Sequence, residues 1–290
     1  MFKGALTAIV TPFRDGAVDE RALRELVEWQ IESRIDALVP CGSTGESATL
    51  SHEEHERVIK ITIDQARKRV PVIAGTGSNA TAEAIRLTAS ARAMGADAAL
   101  LISPYYNKPT QEGIFKHYKL IATTVDLPLI VYNIPGRTAS NIAPETFARL
   151  SEIKNVVGVK EASGSMDQVS DILRLCGDRL AILSGDDALT LPIMALGGSG
   201  VISTASNVMP REMHDLAAAA LAGDFQRARE IHFWMLPLLR ALFIETNPIP
   251  LKHALALMGK CANELRLPLV AMTAPASEKL KAAMKELRLV

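Results

Sequence analysis

The chain has 290 residues and a mass of 31.3 kDa, and 48% of its residues are hydrophobic, which is enough for a large packed core. Its 32 basic residues balance its 32 acidic residues, so the formal net charge is zero and the sequence pI is about 7.0. This balance lacks the basic excess typical of nucleic-acid binding and gives no support for a membrane surface. We therefore expect neither a nucleic-acid nor a membrane partner.

The beginning of the chain and its cysteines indicate a reducing, cytoplasmic location. The first residues contain no long apolar region of the kind found in a signal peptide. The most apolar late stretch, residues 233–244, contains Pro237 and Arg240 and is too short to cross a bilayer. The three cysteines form no CxxC pair, which indicates neither a disulfide framework nor a zinc site.

Eight short apolar segments recur at intervals of very roughly thirty residues, and each precedes a longer amphipathic segment. Helix-start residues occur where this pattern needs them, as at Asp19 and in Ser51-His52-Glu53-Glu54, which has the form of a capping box before a helix to about Arg69. The predicted strands are Ala5–Val10, Ala37–Cys41, Val70–Ala74, Ala98–Ile102, Leu127–Tyr132, Val156–Lys160, Leu180–Ser184 and Gly200–Ser203. Since parallel strands need crossover helices, this pattern predicts an α/β protein whose residues 1–223 form a (β/α)8 TIM barrel. An open doubly wound sheet is the alternative.

The strand rhythm stops after about Gly223. Three helices follow, and they are predicted to contain residues 225–242, 251–265 and 277–287. We therefore predict that residues 224–290 form a C-terminal helical appendage on the barrel.

A lone lysine, Lys160, closes the apolar run Val156-Val157-Gly158-Val159. Active sites of such barrels lie at the carboxyl ends of the strands, so Lys160 occupies a catalytic position. Burial lowers the pKa of an amine, and a neutral lysine can attack a carbonyl to form a Schiff base. The alternative is a barrel lysine paired with a carboxylate such as Glu161.

Other polar residues also follow predicted strands. The second strand runs into Cys41-Gly42-Ser43-Thr44-Gly45-Glu46, where backbone N–H groups and two hydroxyls could hold a carboxylate, or where the chain simply makes a tight turn. Three of the four tyrosines, Tyr105, Tyr106 and Tyr132, lie at strand ends, where a phenol could pass protons or make an ordinary buried hydrogen bond. Arg137 could clamp a substrate carboxylate or be a surface residue.

Two further motifs are interpreted structurally. Asp186-Asp187 follows the seventh strand and could bind a metal, but no histidine accompanies the pair, and we predict that Asp187 caps the next helix. Gly197-Gly198-Ser199-Gly200 precedes the eighth strand, so it lies on the opposite face and is predicted to be a turn. No dinucleotide fingerprint or P-loop occurs in a strand-to-helix context.

Four motifs together resemble the dihydrodipicolinate synthase family, and the likeness extends over essentially the whole chain. They are Gly42-Ser43-Thr44-Gly45-Glu46-Ser47, Tyr105-Tyr106-Asn107-Lys108-Pro109, Tyr132-Asn133-Ile134-Pro135-Gly136-Arg137-Thr138 and Gly158-Val159-Lys160-Glu161-Ala162-Ser163. The opening Ala8–Phe13, the segment Gly198–Ser203 and Asn247-Pro248-Ile249-Pro250 also fit the family.

The resemblance implies a cofactor-free and metal-free reaction. Lys160 would form an imine with pyruvate, and the resulting enamine would add to L-aspartate 4-semialdehyde, on the route to lysine and diaminopimelate. Tyr132, Ser43 and Tyr106 would form a proton relay, with Tyr106 reaching a neighbouring subunit of a homotetramer built as a dimer of dimers. The expected substrate-binding residues are Thr44 for the pyruvate carboxylate, Arg137 for the semialdehyde carboxylate, and Gly185 and Ile202 around the imine.

The resemblance also implies inhibition by L-lysine. The residues that match the family's lysine-binding positions are Ser47, Ala48, His52, His55, Asn79, Glu83 and Tyr105. Taken singly, these are ordinary helix-start and capping residues: His52 and His55 in a first turn, Asn79 as a cap, and Glu83 opposite a helix dipole. Taken together, they offer a carboxylate to an ammonium group and polar donors to a carboxylate.

One position departs from the family pattern: Ser43 stands where the family usually has threonine. Serine keeps the hydroxyl but lacks the methyl group that restricts the rotamer. The loop sequence is shared with related pyruvate lyases such as N-acetylneuraminate lyase, whereas Arg137 and the Tyr105-Tyr106 pair are not expected in those lyases. A catalytically silent barrel that serves as a scaffold is a further alternative, which leaves the clustering of reactive residues at strand ends unexplained.

Overall fold

The computed structural model describes residues 2–290 as an eight-stranded parallel barrel with helices around it. The barrel strands are β1 (Gly4–Thr7), β4 (Ala37–Leu38), β5 (Ile73–Gly75), β6 (Ala98–Ile102), β7 (Leu129–Asn133), β8 (Val156–Glu161), β9 (Ala181–Ser184) and β10 (Gly200–Ser203). The hydrogen-bonded order is β4-β1-β10-β9-β8-β7-β6-β5. All eight predicted strand segments are therefore confirmed, and the alternative of an open doubly wound sheet is wrong.

The barrel closes between β4 and β5. Leu38 forms a parallel bridge with Val72, and the backbone N–H of Gly75 donates to the carbonyl of Pro40 at 2.9 Å. Gly75 is required here, because a Cβ at this position would lie 2.2 Å from the carbonyl oxygen of Cys41. This close approach brings the end of β5 against the loop that follows β4.

Two short strands that the sequence reasoning missed follow β1. They are β2 (Phe13–Arg14) and β3 (Ala17–Val18), and they form an antiparallel hairpin whose turn contains Asp15 and Gly16, both with positive φ. The hairpin lies outside the barrel sheet and packs beside the C-terminal segment, since the Glu264 carboxylate accepts from the N–H groups of Asp15 and Gly16.

Helices alternate with the barrel strands. They are α1 (Glu20–Glu32), α2 (His52–Ala66), α3 (Thr81–Met94), α4 (Gln111–Thr124), α5 (Pro135–Thr138), α6 (Pro144–Leu150), α7 (Met166–Cys176), α8 (Thr190–Ala195) and α9 (Pro210–Leu221). The predicted N-cap at Asp19 and the capping box of Ser51 and Glu54 are confirmed. Helix α2 ends at Ala66, short of the predicted Arg69, because Arg67 and Lys68 adopt left-handed backbone conformations.

Three helices form the predicted C-terminal appendage: α10 (Phe225–Ala241), α11 (Ile249–Leu257) and α12 (Ala274–Glu286). The prediction of a helix to Leu265 is wrong, since α11 ends eight residues earlier, just before Gly259 at φ +69°. The chain then runs irregularly from Lys260 to Thr273 along the barrel rim. Whether residues 224–290 are a separate domain stays a prediction. Within residues 2–290, no helix is both long and apolar enough to cross a membrane.

Hydrophobic side chains fill the barrel and the layer around it. Inward-facing residues of the strands, such as Leu6, Ile73, Leu100, Leu183 and Ile202, form a buried interior cluster. This interior is a packed core, so the open polar surface lies at the carboxyl ends of the strands.

Candidate active site

Lys160 lies near the carboxyl end of β8 with its side chain inside the barrel, and only 6% of the residue is exposed. Register pairing with Tyr132 on β7 places its Nζ 4.4 Å from the centroid of the Tyr132 ring. Burial lowers the pKa of Lys160 to about 8, against the opposing effect of the Asp187 charge. Within residues 2–290 this ammonium has no ion-pair partner within 4.0 Å. Lys160 is therefore a good candidate for an amine that is partly neutral near pH 7.

Glu161 does not neutralise Lys160. Its carboxylate lies on the other side of the strand, where it accepts from Asn133 Nδ2, Gln168 Nε2 and the N–H of Ser163. The expected alternation of strand side chains is thus observed, and the alternative of a Lys160–Glu161 pair is wrong.

Asp187 differs from its predicted role. Asp186 caps the short 3-10 turn through the N–H of Ala188, and Asp187 instead accepts from the N–H groups of Thr204 and Ala205 at 3.1 and 2.9 Å. The predicted cap was wrong by one residue, because the 3-10 turn already includes Asp187 and its N-cap is therefore Asp186. Burial raises the pKa of Asp187 to about 6. Among the residues that the structure describes, no three His, Cys, Asp or Glu side chains gather as metal ligands.

Tyr132 faces the barrel mouth beside Lys160 and is 5% exposed. Burial raises the pKa of its phenol to about 12, while the charge of Arg137 and the hydroxyl of Ser43 oppose this shift. The phenol therefore keeps its proton at neutral pH and can pass it to a neighbour. Ser43 and Tyr132, which were predicted on separate strands, are brought together.

The loop after β4 carries Ser43 and Thr44. The loop begins at Cys41 and ends at Glu46, and both residues have left-handed backbone conformations. Within it, the carbonyl of Gly42 accepts from the N–H of Gly45. Thr44 is 3% exposed, and its Oγ1 accepts a 2.9 Å hydrogen bond from Asn247 Nδ2. The loop is a tight turn, as one alternative held, and Ser43 nevertheless lines the cleft beside Tyr132, while the Thr44 hydroxyl is bonded to Asn247.

Asn247 is a site residue to which sequence reasoning gave no role. It is 7% exposed, it donates to Thr44, and its carbonyl accepts from Arg137 Nη2 at 3.0 Å. It thereby joins two expected carboxylate-binding residues that are 93 positions apart in the chain, at 44 and 137. Its place in the motif Asn247-Pro248-Ile249-Pro250 was the only available signal.

The remaining expected residues occupy distinct places. Gly185 lies against Lys160, because a Cβ there would be 3.1 Å from Lys160 Cε, and Ile202 is fully buried in the barrel interior. Arg137 lies on α5 at the rim with an exposed side chain. Tyr106 is not brought to this chain's Lys160: it is 88% exposed, and its φ is +71°.

A cleft of about 500 Å³ opens above these residues. Its lining includes Ser43, Tyr132, Arg137 and Asn247 at the end near Lys160. Lys160 does not line the cleft, but Tyr132 does, and the Nζ of Lys160 lies directly beside the Tyr132 ring. The cleft extends to most of the residues expected to bind lysine, namely Ser47, Ala48, His52, His55, Glu83 and Tyr105.

The far end of the cleft is a polar cluster. His52 Nε2 lies 3.0 Å from Glu83 Oε1, and the Ser78 hydroxyl also donates to Glu83, which lowers the pKa of that carboxyl. His55 Nε2 donates to the carbonyl of Gly75, and burial lowers the pKa of His55. Asn79 does not cap α3, since Ala80 is the N-cap residue. The side-chain amide of Asn79 donates to the carbonyl of Tyr105 instead.

Comparisons with known proteins agree with this architecture. The model of the dihydrodipicolinate synthetase family matches residues 1–287. The chain is 60% identical, over 100% of both sequences, to the 4-hydroxy-tetrahydrodipicolinate synthase of Syntrophus aciditrophicus (strain SB).

Two solved structures are also similar over almost their full lengths. The chloride-inhibited dihydrodipicolinate synthase of Acinetobacter baumannii, complexed with pyruvate, is 46% identical with a TM-score of 0.98 and covers 100% of both chains. The enzyme of Cyanidioschyzon merolae with lysine bound is 41% identical with a TM-score of 0.97, covering 100% of this chain and 99% of that one. This chain is therefore a lyase that belongs to the dihydrodipicolinate synthetase family.

Proposed function

We propose that this chain is a 4-hydroxy-tetrahydrodipicolinate synthase that condenses pyruvate with L-aspartate 4-semialdehyde through a Schiff base on Lys160. The single observation that carries the proposal is the buried Lys160 amine, with its pKa lowered to about 8, beside the phenol of Tyr132. The pyruvate complex of the similar Acinetobacter enzyme supports the first substrate.

In the proposed reaction, the neutral Lys160 amine attacks C2 of pyruvate, and the carbinolamine loses water to give the imine. Loss of a C3 proton gives the enamine, whose C3 attacks the aldehyde carbon, and the aldehyde oxygen takes up a proton to become the hydroxyl. The amine of the semialdehyde then attacks C2, which closes the ring and releases the lysine nitrogen. One water leaves overall.

The neighbouring side chains supply protons and hold carboxylates. Tyr132 is the proposed proton carrier, with Ser43 next to it and Tyr106 supplied by a neighbouring copy. Thr44 with the loop backbone holds the pyruvate carboxylate, and Arg137 holds that of the semialdehyde. Gly185 and Ile202 shape the space around the imine. The residues supply every group that the steps require, so we propose that the enzyme uses no cofactor or metal.

The test is borohydride reduction in the presence of pyruvate, followed by peptide mass analysis. We expect an adduct on Lys160 that is absent without pyruvate. A protein that turns over the semialdehyde without forming any adduct would sink the imine mechanism. Equal rates with aspartate semialdehyde and sialic acid, or a rate with sialic acid alone, would favour a sugar-acid lyase instead. A rate that survives dialysis against EDTA would support the absence of a metal.

We also propose that L-lysine inhibits the enzyme at the far end of the cleft. Glu83, flanked by His52 and Ser78, offers a carboxylate to an ammonium group. Ser47, Ala48, His55 and Tyr105 line the same cleft, and Asn79 donates to the carbonyl of Tyr105. The lysine complex of the similar Cyanidioschyzon enzyme supports this assignment.

Millimolar lysine should then lower the initial rate and raise the melting temperature. Glu83→Gln should remove both effects. The matched control is Glu56→Gln on α2, whose carboxylate lies 3.5 Å from Arg86 and outside the cleft lining. Inhibition that persists unchanged in Glu83→Gln would contradict the site.

For assembly, we propose the homotetramer, a dimer of dimers, that the family resemblance implies. The support in this chain is Tyr106, a large side chain that projects 88% exposed from the rim. Sedimentation at assay concentration should give the mass of four chains, and Tyr106→Phe should lower turnover without changing that mass. A fully active monomer would contradict both the assembly and the shared tyrosine.

A further inference from the structure

A second lysine, Lys252 on α11, is buried in this chain. Its side chain has 0% exposure, and its Nζ lies 2.5 Å from Oε1 of Glu46, whose side chain is 1% exposed. The Nζ also donates to the carbonyl of Glu264 at 2.9 Å and lies 3.9 Å from the centroid of the Phe13 ring. An isolated buried charge is costly, so each member of this pair depends on the other.

Glu46 is the last residue of the loop that carries Ser43 and Thr44. Its own N–H donates to the carbonyl of Ser43, and its backbone is left-handed at φ +52°. The ion pair with Lys252 therefore fixes the end of the loop just two residues beyond Thr44.

Two further contacts come from the same part of the chain. Asn247 holds the Thr44 hydroxyl, and the backbone N–H of Arg266 donates to Glu46 Oε2 at 3.3 Å. The Arg266 side chain contacts Glu54 of α2, the carbonyl of Thr49 and the carbonyl of Gly16. The part of the chain from Asn247 to Arg266 thus holds the loop at three points, and Lys252 on α11 lies between the other two in sequence.

We propose that Lys252 is a positioning residue for substrate binding: through Glu46 it sets the orientation of the Ser43-Thr44 loop that receives the carboxylate of pyruvate. This inference rests on the proposed function, because it assumes that the loop binds that carboxylate. Lys252 itself does not line the cleft and takes no part in the chemical steps.

Three variants separate positioning from charge and from folding. Lys252→Met leaves an extra buried negative charge, Glu46→Gln leaves an extra positive one, and the double variant restores the net charge. Pyruvate is an anion, so a pure field effect would move the KM for pyruvate in opposite directions in the two single variants. A positioning effect raises it in both.

The double variant decides between positioning and stability. Removing both charges should return the melting temperature toward that of the wild type, because no unpaired buried charge remains. We expect its KM for pyruvate to stay raised by about tenfold, with a much smaller change in kcat, since the loop has lost its anchor. The half-saturation of borohydride trapping on Lys160 should shift with KM, and this reading does not depend on turnover.

The matched control is Lys260→Met. Lys260 follows α11 and lies 4.3 Å from the centroid of the Trp29 ring, and within residues 2–290 it forms no hydrogen bond or ion pair with the Ser43-Thr44 loop and does not line the cleft. Its KM should stay within twofold of the wild type.

A wild-type KM in the double variant, or opposite KM shifts in the two single variants, would overturn the proposal. If the single variants do not fold, the double variant still decides. Absence of a pyruvate adduct in the wild type would instead refute the proposed function, so the two failures are distinguishable.

Discussion

Two buried lysines of this chain have similar surroundings but different partners. Lys160 and Lys252 are both enclosed, and each ammonium group lies within 4.4 Å of the centroid of an aromatic ring. Lys252 contacts a carboxylate directly, whereas Lys160 has no such contact within residues 2–290. Burial alone therefore does not make a nucleophile; a buried amine becomes reactive when no counter-charge is close enough to keep its proton on.

The largest expected difference is between removal of one lysine and removal of the other. Lys160→Met should lower turnover by about 10⁴-fold or more and abolish the pyruvate adduct, because the nucleophile is gone. Lys252→Met should still form the adduct at high pyruvate. Steady-state rates and peptide mass analysis after borohydride reduction measure both. Adduct formation in Lys160→Met, or none in a folded Lys252→Met, would show that the two lysines do not differ in this way.

The aromatic rings beside the two lysines also differ, since Tyr132 beside Lys160 has a hydroxyl and Phe13 beside Lys252 has none. Tyr132→Phe keeps the ring beside Lys160 but removes the proposed proton carrier, and we expect a loss in kcat of about 10²-fold to 10³-fold. Circular dichroism and the melting temperature serve as checks on folding. A loss below about threefold would show that the ring, and not the hydroxyl, is what Lys160 needs.

The pH dependence tests the missing counter-charge directly. Because the pKa of Lys160 is lowered to about 8, the neutral fraction rises with pH, and the rate of pyruvate trapping should fall roughly tenfold per pH unit below about 8. The Asp187 charge raises the pKa of Lys160, against the effect of burial, so Asp187→Asn should move the break in the pH–rate profile to lower pH. Asp186→Asn, one residue earlier, is the control and should move it much less. A break that shifts upward in Asp187→Asn would contradict this account.

The smallest effect is expected from Ser43→Thr, which restores the residue usual in the family. If Lys252 and Glu46 already fix the loop, the added methyl should change kcat/KM by less than about threefold. The same substitution in the Lys252→Met/Glu46→Gln background should help more, because that loop is less restrained. Equal gains in kcat/KM in both backgrounds, measured by steady-state kinetics, would show that the added methyl and the Lys252–Glu46 ion pair act independently.

The eight strands and the polar residues at their carboxyl ends could be predicted because both depend on local patterns: apolar β-branched runs, and polar residues directly after them. The same signal, a lone lysine in an apolar stretch, also marks Lys252 in Pro250-Leu251-Lys252-His253-Ala254, but it lies on a helix outside the expected rim. Its partner Glu46 is 206 positions earlier, at 46 against 252, and no local pattern announces such a contact.

Smaller features were out of reach for similar reasons. The β2–β3 hairpin consists of two-residue strands that depend on the Glu264 carboxylate, which receives the N–H groups of its turn. The end of α11 depends on a left-handed Gly259, and the choice of Asp186 over Asp187 as the cap depends on where the turn starts. The roles of Asn247, Arg137 and Thr44 emerge only when residues distant in sequence meet in space.

The anchoring of the Ser43-Thr44 loop by residues near the other end of the chain has a consequence for protein synthesis. The contacts of Asn247 with Thr44 and of Arg266 with Glu46 span 203 and 220 residues. A growing chain completes all eight barrel strands by Ser203, while every one of these anchors is still to be made. Lys160, the proposed nucleophile, is thus translated well before the proposed substrate-binding loop can be fixed, and an interrupted translation product would hold this lysine without an anchored loop beside it.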